Sequence, residues 1–257
     1  MDALLVSSTQ IAAWAGYVFW PLVRVLALIG TAPVLSHRAI PLRSKVALGV
    51  AVALILAPQA KAPALGTSLD LAFLAMLVRN VLVGATLGFA IRILFSGIEL
   101  AGQMIGLQIG LSFGGFFNPE ATDTNNPVGN ILSLVVLLLF LAIDGHLMML
   151  YGLSRTFELF PIAGDGAPPL AYDAIAGLGS QVFAIALSIS LPILAVMLLI
   201  NVVLGVMARV SPQLNLFAVG FPVTLCAGMT VLLLFVPHLE VPIRATLERG
   251  FSIWPGG

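Results

Sequence analysis

The chain has 257 residues, 60% of them hydrophobic and 9% charged, with a mean hydropathy of +1.11, whereas soluble domains average about 45–50% apolar and 25% charged residues. Eleven Lys and Arg balance eleven Asp and Glu, which removes the basic field of a nucleic-acid binder. One cysteine, Cys226, and three widely separated histidines, His37, His146 and His238, give no disulfide framework and no zinc-ligand spacing, so neither metal nor cofactor is expected.

What remains is an integral, all-α membrane protein. Asp2 is the only charge before Arg24, so the basic n-region of a cleaved signal is missing and the first segment reads as retained. Ile11 to Leu35 is apolar except for Arg24 and ends at the breaker Thr31-Ala32-Pro33. A charge there must pair or snorkel, and Trp14, Tyr17 and Trp20 read as an aromatic interface anchor. The loop Ser36 to Lys45 holds Arg38, Arg43 and Lys45 without an acid, which places it, with the later Arg209 turn, on the cytoplasmic side.

Val46 to Ala57 is apolar but only about 18 Å long as a helix, short of a hydrocarbon core of roughly 30 Å. Ile131 to Ile143 is a second short run, closed by Asp144, Gly145 and His146. Short apolar runs indicate re-entrant or protein-covered helices. Asp144 reads as a cap after the second run, with a proton relay through His146 as the alternative.

Between these runs, Leu71 to about Phe113 forms one long helix or two. On a continuous helix Gly88, Arg92, Ser96, Glu99, Gln103, Gly106 and Gly110 fall within an arc of about 80°. Arg92 and Glu99 would each cost roughly 2.5–3.5 kcal/mol in lipid, so this stripe should face water along a conduit or neighbouring chains at a helix seam. Gly102, Gly106, Gly110 and Gly114 add consecutive GxxxG spacings, which allow close backbone approach. Gly84 and Gly88 follow no strand and do not form a phosphate loop.

The following loop, Phe113-Gly114-Gly115-Phe116-Phe117-Asn118-Pro119, sets bulky rings on glycine joints. Such a loop could seal a pore by volume and dewetting or anchor at headgroups. Residues 163–173 read as a linker. Val182 to Ala208 and Leu214 to Val236 are long spans joined at Arg209-Val210-Ser211-Pro212-Gln213, where Asn201, Gly205 and Arg209 repeat at i+4. Leu239 to Trp254 mixes apolar and charged positions, suggesting an amphipathic C-terminal helix. No nucleophile elbow, Walker loop, HExxH or dinucleotide fingerprint occurs, so no enzymatic seat is visible.

Three ordered stretches resemble one family, that of FliR, the flagellar export-gate protein, and its injectisome counterparts. They are Arg24-x6-Thr31-Ala32-Pro33-Val34 with Ile40-Pro41-x-Arg43; Glu99-Leu-Ala-Gly-Gln-Met-Ile-Gly-Leu-Gln-Ile-Gly-Leu-Ser-Phe113 running into Phe117-Asn118-Pro119; and Pro212-Gln213-Leu-Asn215-x-Phe217-x-x-Gly220-Phe221-Pro222. The resemblance implies a subunit that assembles with several copies of FliP and of FliQ into the closed entry pore for unfolded flagellar subunits. FlhB and FlhA would be further partners, in the flagellar basal body of the bacterial inner membrane. It also implies a FliP-like part over 1–173 and a FliQ-like helical hairpin with the C-terminal helix over 174–257, with a pore plug within about 110–127 that includes Phe113, Gly114, Gly115, Phe116 and Phe117. Arg209, Pro212, Gln213 and Asn215 would form the hairpin turn. A secondary transporter would require interrupted segments in two halves, and no such repeat is visible; a passive scaffold is the third reading.

Overall fold

A computed structural model describes residues 8–36, 40–65, 70–110, 127–163, 172–211, 216–242 and 244–245. Every regular element among them is helical: α1 (Ser8–Thr31), α2 (Pro33–Ser36), α3 (Leu42–Ala60), α4 (Leu71–Ile109), α5 (Pro127–Ala142), α6 (Gly145–Leu159), α7 (Tyr172–Val210), α8 (Leu216–Phe235) and a 3-10 turn, Val236–Leu239. Five helices are long and apolar enough to cross a membrane, and α5 with α6 makes a sixth if the pair is one interrupted span. The all-α membrane class expected from composition is the one observed.

Element lengths correct one expectation and bear out another, since α5 remains too short to span alone. The run Val46 to Ala57 lies inside the 19-residue α3, which qualifies as a span. Its polar first turn, Leu42-Arg43-Ser44-Lys45, is helical because Pro41 stands at the N-cap with φ −59° and loses no hydrogen bond there. The run Ile131 to Ile143 begins earlier, at Pro127 in the first turn of α5. Leu71 to Ile109 is one helix of 39 residues, about 58 Å long, or nearly two hydrocarbon thicknesses.

The described residues form two compact units, one drawn from 1–92 and 144–175, the other from 93–143 and 176–249. In the first, α1 packs along α3, whose buried face carries Gly49, Ala53, Leu56, Ala57 and Ala60. These small side chains bring the helices close; a Cβ on Gly49 would lie 2.7 Å from Leu26 Cδ2. Trp20 is buried against Phe19 and Phe73, with ring centroids 5.2 Å away in each case. Trp20 is therefore a core residue, while Trp14 and Tyr17 remain exposed, and the three rings do not form a single interface anchor.

In the second unit, burial recurs at helical intervals: Ile98, Ala101 and Ile105 on α4, Val128, Leu132, Val136 and Phe140 on α5, and Ile185, Ile189, Ile193 and Met197 on α7. One apolar stripe per helix, with the opposite face left open, is the pattern of helices packed on one side only. Glycines set the closest approaches. A Cβ on Gly97 would lie 2.8 Å from Ile185 Cβ, and one on Gly102 would lie 2.6 Å from Gly129 Cα.

Candidate functional site

Among the described residues, the most elaborate polar arrangement surrounds Arg24, which does not snorkel and meets no acid there. Its side chain is fully buried in the first unit, and all five guanidinium bonds go to uncharged acceptors. Nε donates to Asn80 Oδ1 at 3.1 Å and Nη2 to the same oxygen at 2.7 Å. Nη1 donates to the Thr156 carbonyl at 2.8 Å and its hydroxyl at 3.2 Å, and Nη2 also donates to the Phe160 carbonyl at 2.9 Å. The Phe157 ring lies under the guanidinium carbon, 4.3 Å from centroid to Cζ.

Each acceptor is itself held in place. Asn80 Nδ2 donates to the Met76 carbonyl at 2.8 Å, which turns its oxygen toward Arg24, and the Thr156 hydroxyl donates to Leu153 O at 2.6 Å, leaving lone pairs for the guanidinium. The Thr156 and Phe160 carbonyls lie at the end of α6, where the helix dipole is negative; Thr156 O already accepts the Phe160 amide at 2.9 Å and shares its second lone pair with the guanidinium, whereas Phe160 O lies past the last turn, where carbonyls lack helical donors. A fork of five donors is suited to capping that end and bridging to α4 simultaneously. The result is a clasp joining α1, α4 and α6.

Beside the clasp, α4 presents Gly84 and Gly88 to α1. A Cβ on Gly84 would run into the Arg24 carbonyl, and one on Gly88 into Thr31 Oγ1 and the Ala32 amide. Thr31 Oγ1 is drawn back to Ala27 O and Leu28 O at 2.9 and 3.2 Å. This spacing is a small-xxx-small seam, and it seats α4 on the Arg24 to Ala32 stretch.

The stripe on α4 straddles two environments. Gly88, Gly106 and Gly110 are buried, Ser96 is half-buried, and Arg92, Glu99 and Gln103 are exposed. Arg92 and Glu99 form no ion pair among the described residues. Of the glycine series, Gly102 abuts α5 at Gly129, and Gly110 ends α4 with φ 92°, its amide donating to Gly106 O and Leu107 O at 3.2 Å each. Gly110 is thus a helix stop, a conformation that suits glycine.

Phe113, Gly114, Gly115, Phe116 and Phe117 lie outside the described residues, as do Pro212, Gln213 and Asn215. The stretch Leu239 to Trp254, expected as an amphipathic helix, lies outside them at 243 and from residue 246 onward. Arg209 is exposed in the last turn of α7. Asp144 occupies the N-cap of α6 with φ 57° but makes no side-chain cap bond. Its carbonyl accepts from the Leu147 and Met148 amides at 2.9 and 3.0 Å, so its backbone, rather than its carboxylate, serves the turn.

Sequence reasoning flagged Arg24 without its partners. Asn80, Thr156 and Phe160 lie 56, 132 and 136 residues away, and no local pattern links them. A pairing signal was present only in Asn80, a polar residue at the register of a buried face.

A family model described as bacterial export proteins, family 1, matches residues 15–249. The flagellar biosynthetic protein FliR of Pectobacterium carotovorum subsp. carotovorum is 40% identical over 236 residues, 91% of this chain and 89% of the relative. FliR of Escherichia coli (strain K12) is 39% identical over 235 residues, with the same coverage. FliR of Bacillus subtilis (strain 168) is 28% identical over 229 residues, 86% of each chain.

Proposed function

The chain belongs to the FliR family of bacterial export proteins and is a membrane component of flagellar protein export; we propose that it acts there as a core subunit of the type III export gate. In this reading it forms, with several copies each of FliP and FliQ, the closed entry pore in the bacterial inner membrane. FlhB and FlhA adjoin that pore, and unfolded flagellar subunits pass through it. Its part is non-enzymatic. Residues 1–173 take the FliP-like role, and residues 174–257, which hold nearly all of α7 and the whole of α8, take the role of the FliQ-like hairpin.

The observation that carries this reading is the exposed face of α4. Arg92, Glu99 and Gln103 stand on the surface of an apolar helix without a partner among the described residues. Lipid penalises such groups, so other subunits or a water-filled conduit must cover them. The glycine stop at Gly110 releases the chain from α4 just before the aromatic segment, which suits Phe113, Gly114, Gly115, Phe116 and Phe117 to serve as the plug. Displacing that loop as substrate engages would open the path.

Purification from native membranes in a mild detergent tests the assembly: other membrane subunits should accompany the chain in defined ratio, and a well-folded solitary monomer would refute it. Replacing both Phe116 and Phe117 by glycine tests the plug, because the assembled complex should then leak small ions across vesicle membranes. Unchanged conductance would rule the plug out.

A further inference from the structure

Between α7 and α8 runs a groove whose walls are apolar and whose end is not. Ile193 and Val196 on α7 line it together with Val231 and Leu234 on α8, and Pro192, Phe235 and His238 complete it, in a volume of about 380 Å³. That size falls within the range of about 300–1,000 Å³ found for ligand sites. Ile193 and Leu234, like Val196 and Val231, stand equally far, to within one residue, from Val210 and Leu216, the facing ends of the two helices. An antiparallel pair with equal rise per residue requires this. By the same count Ser188 and His238 share a level, one turn past Pro192 and Phe235.

Two polar groups at that level have unused capacity. Pro192 has no amide, so the Ser188 carbonyl receives no helical hydrogen bond from it. The Ser188 hydroxyl does not replace that donor, because it donates to Ile185 O at 2.9 Å. His238 is exposed, stacks on Phe235 with ring centroids 6.0 Å apart, and makes no hydrogen bond among the described residues. Elsewhere on α8 the hydroxyls are met internally: Thr224 and Thr230 donate to Phe221 O and Cys226 O at 3.0 and 2.8 Å.

Both walls belong to candidate membrane spans. An acyl chain needs no hydrogen bond along such a trench, and a headgroup that carries both an ammonium and a phosphate meets the acceptor and the donor at its end. A protein helix laid in the groove has its main-chain groups satisfied internally and would leave both unmatched. We infer that the groove binds an ethanolamine phospholipid, with one acyl chain between α7 and α8, the ammonium donating to Ser188 O and the phosphate accepting from the His238 ring N–H. The inference stands apart from the export-gate role, which its failure would leave untouched.

The test uses the full chain, purified with the subunits that accompany it and reconstituted in vesicles of phosphatidylethanolamine and phosphatidylglycerol in equal parts. A trace of phosphatidylethanolamine with a diazirine on its acyl chain should label the Val231 to Leu234 stretch. Val196→Trp fills the groove from a position already 41% exposed, so it should cut labelling about tenfold while the level of the chain holds. The matching phosphatidylglycerol probe, which has the phosphate but no ammonium, should label less. Pro192→Ala restores an amide to Ser188 O and should abolish that preference, and His238→Leu should lower labelling by both probes. Equal labelling of the wild-type chain and the Val196 variant, equal labelling by the two lipids, or a preference that survives Pro192→Ala would overturn the inference. So would a photo-crosslinking residue at Leu234 that captures another protein instead of lipid.

Discussion

Arg24→Lys keeps the charge in the clasp and removes the fork. The guanidinium makes five hydrogen bonds from three nitrogens that point toward Asn80 on one side and the end of α6 on the other. A lysine ammonium has three donors on one atom, so at least two bonds are lost. Hydrogen bonds to charged groups are worth about 1.5–3 kcal/mol each, which puts the loss at about 3–6 kcal/mol, a large share of a typical stability of about 5–15 kcal/mol. Arg24→Met should cost no more. It strands the Asn80 and Phe160 oxygens, at about 1–3 kcal/mol apiece, but buries no charge. The assay is the thermal midpoint and protease resistance of the full chain in detergent, alongside its steady-state level in membranes. A lysine variant with the wild-type midpoint, or one clearly more stable than the methionine variant, would show that charge alone holds the clasp and would refute the argument from the fork.

Gly88→Leu should abolish accumulation of the folded chain, because the side chain would have to occupy the place of the Thr31 hydroxyl and of the Ala32 and Leu28 backbone; Gly30→Leu, where nothing lies within 4 Å, should leave the level unchanged, and immunoblots of membrane fractions compare the two. Gly102→Leu, set against Gly129 Cα, should likewise cost more stability than the roughly 1–3 kcal/mol of ordinary overpacking, read as a lowered thermal midpoint. Gly110→Ala should cost about 1–2 kcal/mol, since φ 92° strains any Cβ, and a midpoint equal to that of the wild-type chain would contradict its role as the stop of α4.

Much of the helical plan was legible because apolar runs announce spans whatever they pack against. The boundaries were less so. Both ends of α3 and the start of α5 lie beyond their apolar runs, with Pro41 preceding α3, Pro127 opening α5 and polar residues on each first turn. The stripe Arg92 to Gln103 was visible from spacing alone, since 100° per residue is a property of the backbone. Spacing says nothing of which side is covered, and the structure puts its glycines inward and its charges outward. Gly84 and Gly88 were legible as a pair but not as a seam, because their counterpart is the backbone of Arg24 to Ala32 and a carbonyl has no letter in a sequence. The clasp was opaque for the same reason: two of its acceptors are main-chain oxygens.

The clasp also constrains how the polypeptide is made. Arg24 enters the membrane early, but the last oxygen that receives it belongs to a residue 136 positions later. At translation speeds of roughly 5–20 residues per second, the guanidinium waits about 7–27 seconds for the end of α6. During that interval α1 carries an unmet insertion penalty of about 2.5–3.5 kcal/mol. The first helix therefore cannot reach its final setting until the sixth has been synthesised.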